Sequence, residues 1–103
     1  MKWYRVALSV DDLIFPPQNI TELQAGGKTI CVARFAESLF AFTQKCPHAG
    51  GFMVEGYLDG SGNVVCPVHR YKFNLSNGRN AVEGYYLKTY PVEVRPDGVF
   101  VGV

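Results

Sequence analysis

Apolar residues recur along this chain in short runs, each cut off by glycine, proline or charged residues, and the runs are rich in Val, Phe and Tyr. That is the pattern of an all-β domain built from short strands. Trp3 to Leu8 reads as a first strand. Asp11-Asp12-Leu13 opens a short turn, and Pro16-Pro17 forbids a continuing helix or a central strand there. Ile20 to Gln24 and Lys28 to Phe35 flank Gly26-Gly27, a hairpin signal because glycine accepts the positive φ of a tight turn. Leu39 to Phe42 forms the next strand after a turn at Glu37-Ser38.

From Lys45 the character changes. Glycines at 50, 51, 56, 60 and 62 break the chain into loops, with Tyr57-Leu58 and Asn63 to Val65 as brief strands between them. Tyr71 to Leu75 forms another, closed by a turn at Ser76-Asn77-Gly78. The strand pattern returns from Tyr85 to Val94, where Pro91 marks an edge or a bulge. Pro96-Asp97-Gly98 then turns the chain into Val99 to Val103, and these last two runs read as a hairpin closing the sheet begun at the N-terminus. A β base at about 1–44 and 84–103 thus encloses a loop-rich insert at about 45–83. No helix beyond about two turns and no internal repeat is expected.

Composition narrows the function classes. A chain of 103 residues is one ordinary domain, and 48% apolar with 14% aromatic residues is the make-up of a folded globule. The net charge of +1 lacks the basic bias of a nucleic-acid or membrane-surface binder. The apolar runs fall far short of the ~20 residues that span a bilayer. No apolar segment with a cleavage site follows Met1-Lys2-Trp3-Tyr4-Arg5, so a cytoplasmic location is expected and the Asn19 and Asn74 glycosylation triplets are chance matches. Three cysteines is an odd number, and two stand beside histidines, which favours metal ligation over a disulfide framework.

Those two cysteines and both histidines of the chain form Cys46-Pro47-His48, then seventeen residues, then Cys66-Pro67-Val68-His69. Thiolate and imidazole in equal number suit zinc, or a two-iron cluster with Cys on one iron and His on the other. Zinc modules usually pair like with like, whereas here each half-motif offers one Cys and one His. Two matching loops reaching a common centre from opposite sides fit the binuclear cluster. A structural zinc-binding interaction module is the alternative from a different class.

At these residues the sequence resembles the Rieske-type 2Fe-2S proteins. Cys46-Pro47-His48-Ala49-Gly50-Gly51 and the run from Cys66 to Leu75 are similar to that family's two cluster loops. The resemblance implies one 2Fe-2S cluster, with Cys46 and Cys66 on one iron, His48 and His69 on the other, and two bridging sulfides. It also implies the Rieske fold, an antiparallel, sandwich- or barrel-like β base with a small cluster-binding subdomain inserted. Neutral imidazoles in place of two thiolates raise the potential above that of all-Cys ferredoxins. Gly50 and Gly51 are expected to let backbone N–H groups approach the sulfurs, and the histidine edges to reach the surface.

Departures from the high-potential branch place the chain within that family. Members of respiratory and photosynthetic complexes carry an extra cysteine in each loop, joined as a disulfide; here those positions are Gly51 and Val68. Their Ser and Tyr hydroxyls near the cluster are matched by Tyr71 and Phe73. With fewer hydrogen bonds to sulfur, the potential is expected nearer about −150 mV than about +300 mV. That is similar to the dioxygenase-ferredoxin branch, which implies a carrier between a flavoprotein reductase and a terminal oxygenase. The chain shows no carboxylate pair, nucleophile–base set or phosphate loop, so an enzyme in its own right is not expected. A small Rieske subunit of a nitrite-reductase-type complex is the alternative within the family.

Around the motif, Cys31 lies in an apolar strand pattern and reads as a buried, inert thiol. Lys45, Arg70 and Lys72 are either solvated charges or a basic rim for an acidic partner. Phe52 and Met53 either pack beneath the cluster or form an apolar docking tip. Tyr71 is either a hydrogen-bond donor to the centre or a cover that keeps water from it.

Overall fold

The computed structural model describes residues 1–47, 50–80 and 84–103. Its strands are β1 (Trp3–Ala7), β2 (Ile20–Ala25), β3 (Lys28–Phe35), β4 (Ser38–Thr43), β5 (Tyr57–Leu58), β6 (Asn63–Val65), β7 (Lys72–Asn74), β8 (Thr89–Tyr90), β9 (Val92–Arg95) and β10 (Gly98–Gly102). They form three antiparallel sheets in the orders β1-β10-β9, β2-β3-β4-β8 and β5-β6-β7. Val10–Asp12 and Met53–Glu55 are single 3-10 turns. The all-β class read from the short apolar runs is the one observed.

β3 is the strand on which both cores are built. Ile30, Cys31, Val32 and Ala33 are all fully buried, an apolar run without polar alternation, as a strand covered on both faces requires. Side chains alternate along it, so Ile30 and Val32 enter a core with Ala25, Ala41, Tyr90 and Val101, against which Tyr4, Val6 and Val92 pack. That core joins the two base sheets. Cys31 and Ala33 point the other way, into a core with Phe42, Met53, Val64, Phe73, Leu87, Cys46 and Cys66. The second core fastens β5–β7 and the two cysteine loops to the base, and burying Phe42 and Phe73 alone contributes about 1.5–3 kcal/mol each.

The turns show where local chemistry governs. Gly26 and Gly27, at φ 58° and 78°, make the two-residue connection between Ala25 and Lys28. The next hairpin turns at Ala36-Glu37 instead of Glu37-Ser38, with both residues left-handed at φ 51° and 62° although neither is glycine. That strain costs on the order of 1 kcal/mol per residue and is offset by the six-residue pairing of β3 with β4. Gly78, at φ +74°, is required on steric grounds as well: an added Cβ would lie 1.9 Å from the Leu87 carbonyl oxygen.

The run from Tyr85 to Val94 is not one strand. β8 pairs with β4, β9 pairs with β10 in the other sheet, and Pro91 is the junction. Proline has no N–H to extend the β8 ladder, yet its carbonyl still accepts the Gly102 N–H at 3.0 Å, so the chain changes sheets without losing that bond. No helix among the described residues is long and apolar enough to cross a membrane.

Candidate metal centre

Two loops leave the cores and meet, and they are closed in the same way. In the first, the Cys46 N–H donates to the Gly51 carbonyl at 2.8 Å; in the second, the Cys66 N–H donates to the Tyr71 carbonyl at 2.8 Å. Each cysteine therefore bonds the residue five positions on. The flanking pairs also match, with Lys45 bridged to Phe52 and Val65 paired with Lys72. The second loop turns through His69 and Arg70, left-handed at φ 63° and 56°.

The loops abut at a position that only glycine can occupy without displacement. A Cβ on Gly51 would stand 2.8 Å from Val68 Cγ2 and 3.4 Å from Cys66 Sγ. Gly51 thus acts through the side chain it lacks. The Gly50 N–H donates to the Cys46 carbonyl at 2.9 Å, a bond that closes the first loop on itself.

Cys46 and Cys66 are brought together in the interior, 3% and 0% exposed, and neither is in a disulfide. Burial, then a hydrogen bond with the Cys46 side chain, pushes the Cys66 thiol up to about 11. A desolvated thiol with a second thiol against it is a poor acid on its own, as Cys66 is, and a bound cation is what makes a thiolate favourable there. This donor pair fits a metal or an iron–sulfur cluster. His69 is exposed on the same loop as Cys66, its ring centroid 6.4 Å from that of Tyr71, which in turn lies 6.2 Å from that of Tyr85. His48, with Ala49, lies outside the described residues.

The surroundings resolve several alternatives. Phe52 is 47% exposed while Met53 is fully buried, because consecutive residues of an extended segment point to opposite sides. One is surface and the other core. Tyr71 is half-buried against the inner core. Lys72 is not an uncommitted rim charge, since its Nζ pairs with Asp59 Oδ2 at 3.3 Å. Cys31 is the inert thiol expected: burial, then the nearby Glu22 charge, pushes it up to about 12.

Two residues had no role in the sequence reading. Gln44 is buried directly before the first loop, and its Oε1 accepts from the Cys31 thiol at 3.0 Å and from the Val54 N–H at 3.4 Å. Its Nε2 donates to Glu22, and its carbonyl accepts the Met53 N–H at 2.7 Å. The start of the first loop is therefore tied to its end and to β2 and β3. Asp59 accepts from the N–H groups of Ser61 and Asn63 and from the Asn63 amide, which sets the β5–β6 turn. The Asp-Gly-Ser-Gly-Asn run is a legible signal for such a turn; Gln44 has none.

An antiparallel all-β base presenting two matched loops, each headed by a buried cysteine and each carrying a histidine in sequence, defines a small metalloprotein of the iron–sulfur kind. The chain belongs to the Rieske [2Fe-2S] domain family, whose description matches residues 2–91. It accordingly holds one Rieske-type 2Fe-2S cluster and is an electron-transfer component. The 3-phenylpropionate/cinnamic acid dioxygenase ferredoxin subunit of Photorhabdus laumondii is 32% identical over 96 residues, which is 82% of this chain and 90% of that protein. A 4beta-methylsterol monooxygenase of Methylococcus capsulatus is 29% identical over 105 residues, 90% of this chain but only 27% of the larger protein. Among solved structures, the complex of reduced oxygenase and oxidized ferredoxin in carbazole 1,9a-dioxygenase contains a chain similar at TM-score 0.79 and 28% identity, covering 97% of this chain and 92% of that one.

Proposed function

We propose that Cys46 and Cys66 hold one iron of the cluster and His48 and His69 the other, and that the protein is a ferredoxin carrying one electron at a time from a flavoprotein reductase to a terminal oxygenase. The observation that carries this reading is the matched closure of two loops over two adjacent buried thiols. When bound, the cluster supplies a one-electron couple. The chain's own residues do the rest. Cys46 and Cys66 provide negative charge from inside the fold, and the core around Met53, Phe73 and Leu87 keeps water from that side. His69, exposed at a loop tip, offers a short route to a docked partner.

The carrier role, in place of an enzymatic one, is supported by the relative of nearly equal length that is a ferredoxin subunit of a dioxygenase. A cytoplasmic site of action suits such a role. In this reading the β base, about 1–44 and 84–103, is scaffold and the insert, about 45–83, is the redox module.

An absorption spectrum and a low-temperature EPR spectrum, before and after dithionite, test it. A red-brown protein whose reduced form gives a rhombic signal, with average g below that of all-Cys clusters, is the expected result. A colourless, EPR-silent protein with stoichiometric zinc overturns it. Electron delivery is then tested by mixing the reduced protein anaerobically with an oxidised dioxygenase oxygenase component and following re-oxidation optically.

A further inference from the structure

Beside the first loop, a groove of about 600 Å3 opens between β2, the end of β4 and the Met53–Glu55 turn. Its walls carry Glu22 and Glu55, both exposed, and its apolar side is formed by Phe52 and Val54. Lys45 stands in the lining as well, so the groove holds two carboxylates against one ammonium, a local excess of negative charge in a chain whose net charge is +1. Among the described residues, the ion pairs are Lys72 with Asp59 and Arg95 with Glu93, so neither groove carboxylate is neutralised by a basic side chain.

We propose that this groove receives an arginine or lysine side chain of the redox partner protein. The chemistry of the walls specifies that occupant. A long basic side chain lays its methylene stem along Phe52 and Val54 and sets its charged head between Glu22 and Glu55. Phe52 is 47% exposed, which leaves its ring available to such a cation. The groove is continuous with the redox face, because Lys45 and Phe52 are the bridged pair that flanks the Cys46 loop. A partner seated here also meets Lys45, so it carries an acidic group next to its basic one. That alternation fixes one docking orientation where a uniformly basic rim would accept many.

Glu22 is prepared for the role. Gln44, itself 8% exposed, donates to its carboxylate and holds the Val54 N–H with its other end. The carboxylate is thereby held at the groove wall before any partner arrives, which lowers the ordering cost of docking.

The inference deepens the carrier function proposed for this chain and rests on it. The test uses the cluster-loaded protein and an acetylated, amidated peptide of sequence Gly-Arg-Gly-Arg-Gly-Arg, with its Glu counterpart, in titration calorimetry at low salt. The Arg peptide is expected to bind, and the Glu22→Gln/Glu55→Gln double variant to bind it about tenfold or more weakly. Gln at 22 still accepts from Gln44, so the fold is preserved, and Asp12→Asn, an exposed carboxylate outside the groove, should leave binding unchanged. An Arg peptide that does not bind the intact protein, or that binds the double variant as tightly as the wild type, overturns the proposal. An EPR spectrum on each sample separates the two readings. Failure to bind with a Rieske signal present removes the groove alone, and absence of that signal removes the carrier function.

Discussion

The Cβ that Gly51 lacks would lie 3.5 Å from the Cβ of Val68 and 2.8 Å from its Cγ2, so the two candidate cluster loops touch at these positions. A Cβ–Cβ separation of about 3.5–4.5 Å is the span a disulfide bridges. Gly51 also lies outside the positive-φ region, so a side chain is not barred by the backbone. The Gly51→Cys/Val68→Cys double variant should therefore form a loop-to-loop disulfide. Mass spectrometry with and without reductant, after thiol alkylation, detects it as a loss of two reactive thiols. Gly51→Leu, in contrast, must push Val68 aside and should lose about 1–3 kcal/mol. Its cluster absorbance should bleach faster on warming, and equal bleaching rates would mean that the loop contact is loose.

Gln44 joins four partners from one buried site, so its removal should be costly. Gln44→Leu leaves the Val54 N–H and the Cys31 thiol without their acceptor, a loss of about 1–3 kcal/mol. Cys31→Ala removes only a thiol and a small volume, about 1 kcal/mol. The two changes share a bond, so a double-mutant cycle on thermal stability should give a coupling of about 0.5 kcal/mol or more. Cys31→Ala should leave the EPR spectrum unchanged, because that sulfur is engaged by Gln44. Strict additivity would mean that the Cys31–Gln44 bond contributes nothing.

What could be read from the chain beforehand follows from how local each cause is. Gly26-Gly27 marked its hairpin because positive φ is a property of those two residues alone. The two cysteine loops were legible for the same reason, since each closes on itself within five residues of its cysteine. Pro91 was legible as an irregularity, but the split of Tyr85 to Val94 into two strands of different sheets was not, because it depends on pairing with β4 on one side and β10 on the other. Gln44 was invisible because its partners Cys31 and Glu22 lie 13 and 22 positions away. Phe52 and Met53 could not be separated by composition, since both are apolar and only the extended backbone between them sends one in and one out.

The ligand assignment makes a directional prediction about potential. Replacing a neutral imidazole by a thiolate adds negative charge at the iron and disfavours the incoming electron. His69→Cys, if it retains the cluster, should lower the midpoint potential by about 100 mV or more and move the average g toward the all-Cys value. Redox titration of the purified variant against the wild type measures it. An unchanged potential with the cluster intact would show that His69 is not a ligand.

Asp59 sets a pH dependence of the stability of the fold. Burial works against its ionisation, but hydrogen bonds from the Asn63 side chain and backbone, the Ser61 N–H and Lys72 outweigh it and lower the carboxyl from 3.8 to about 2. A carboxylate whose pKa is lower in the folded chain than in the unfolded one stabilises the fold fully above the unfolded value. That stabilisation is lost as pH falls through the folded value. Asp59→Asn should therefore lower the thermal midpoint near neutral pH, and the gap to the wild type should stay constant down to about pH 5. Below about pH 4 it should shrink, as the wild-type carboxylate itself becomes protonated. Melting curves followed by far-ultraviolet circular dichroism at a series of pH values check this. A gap that persists unchanged at the acid end would assign the loss to the shape of the amide rather than to the charge, and the Lys72 pair and the turn N–H bonds would then be acting on a neutral acceptor.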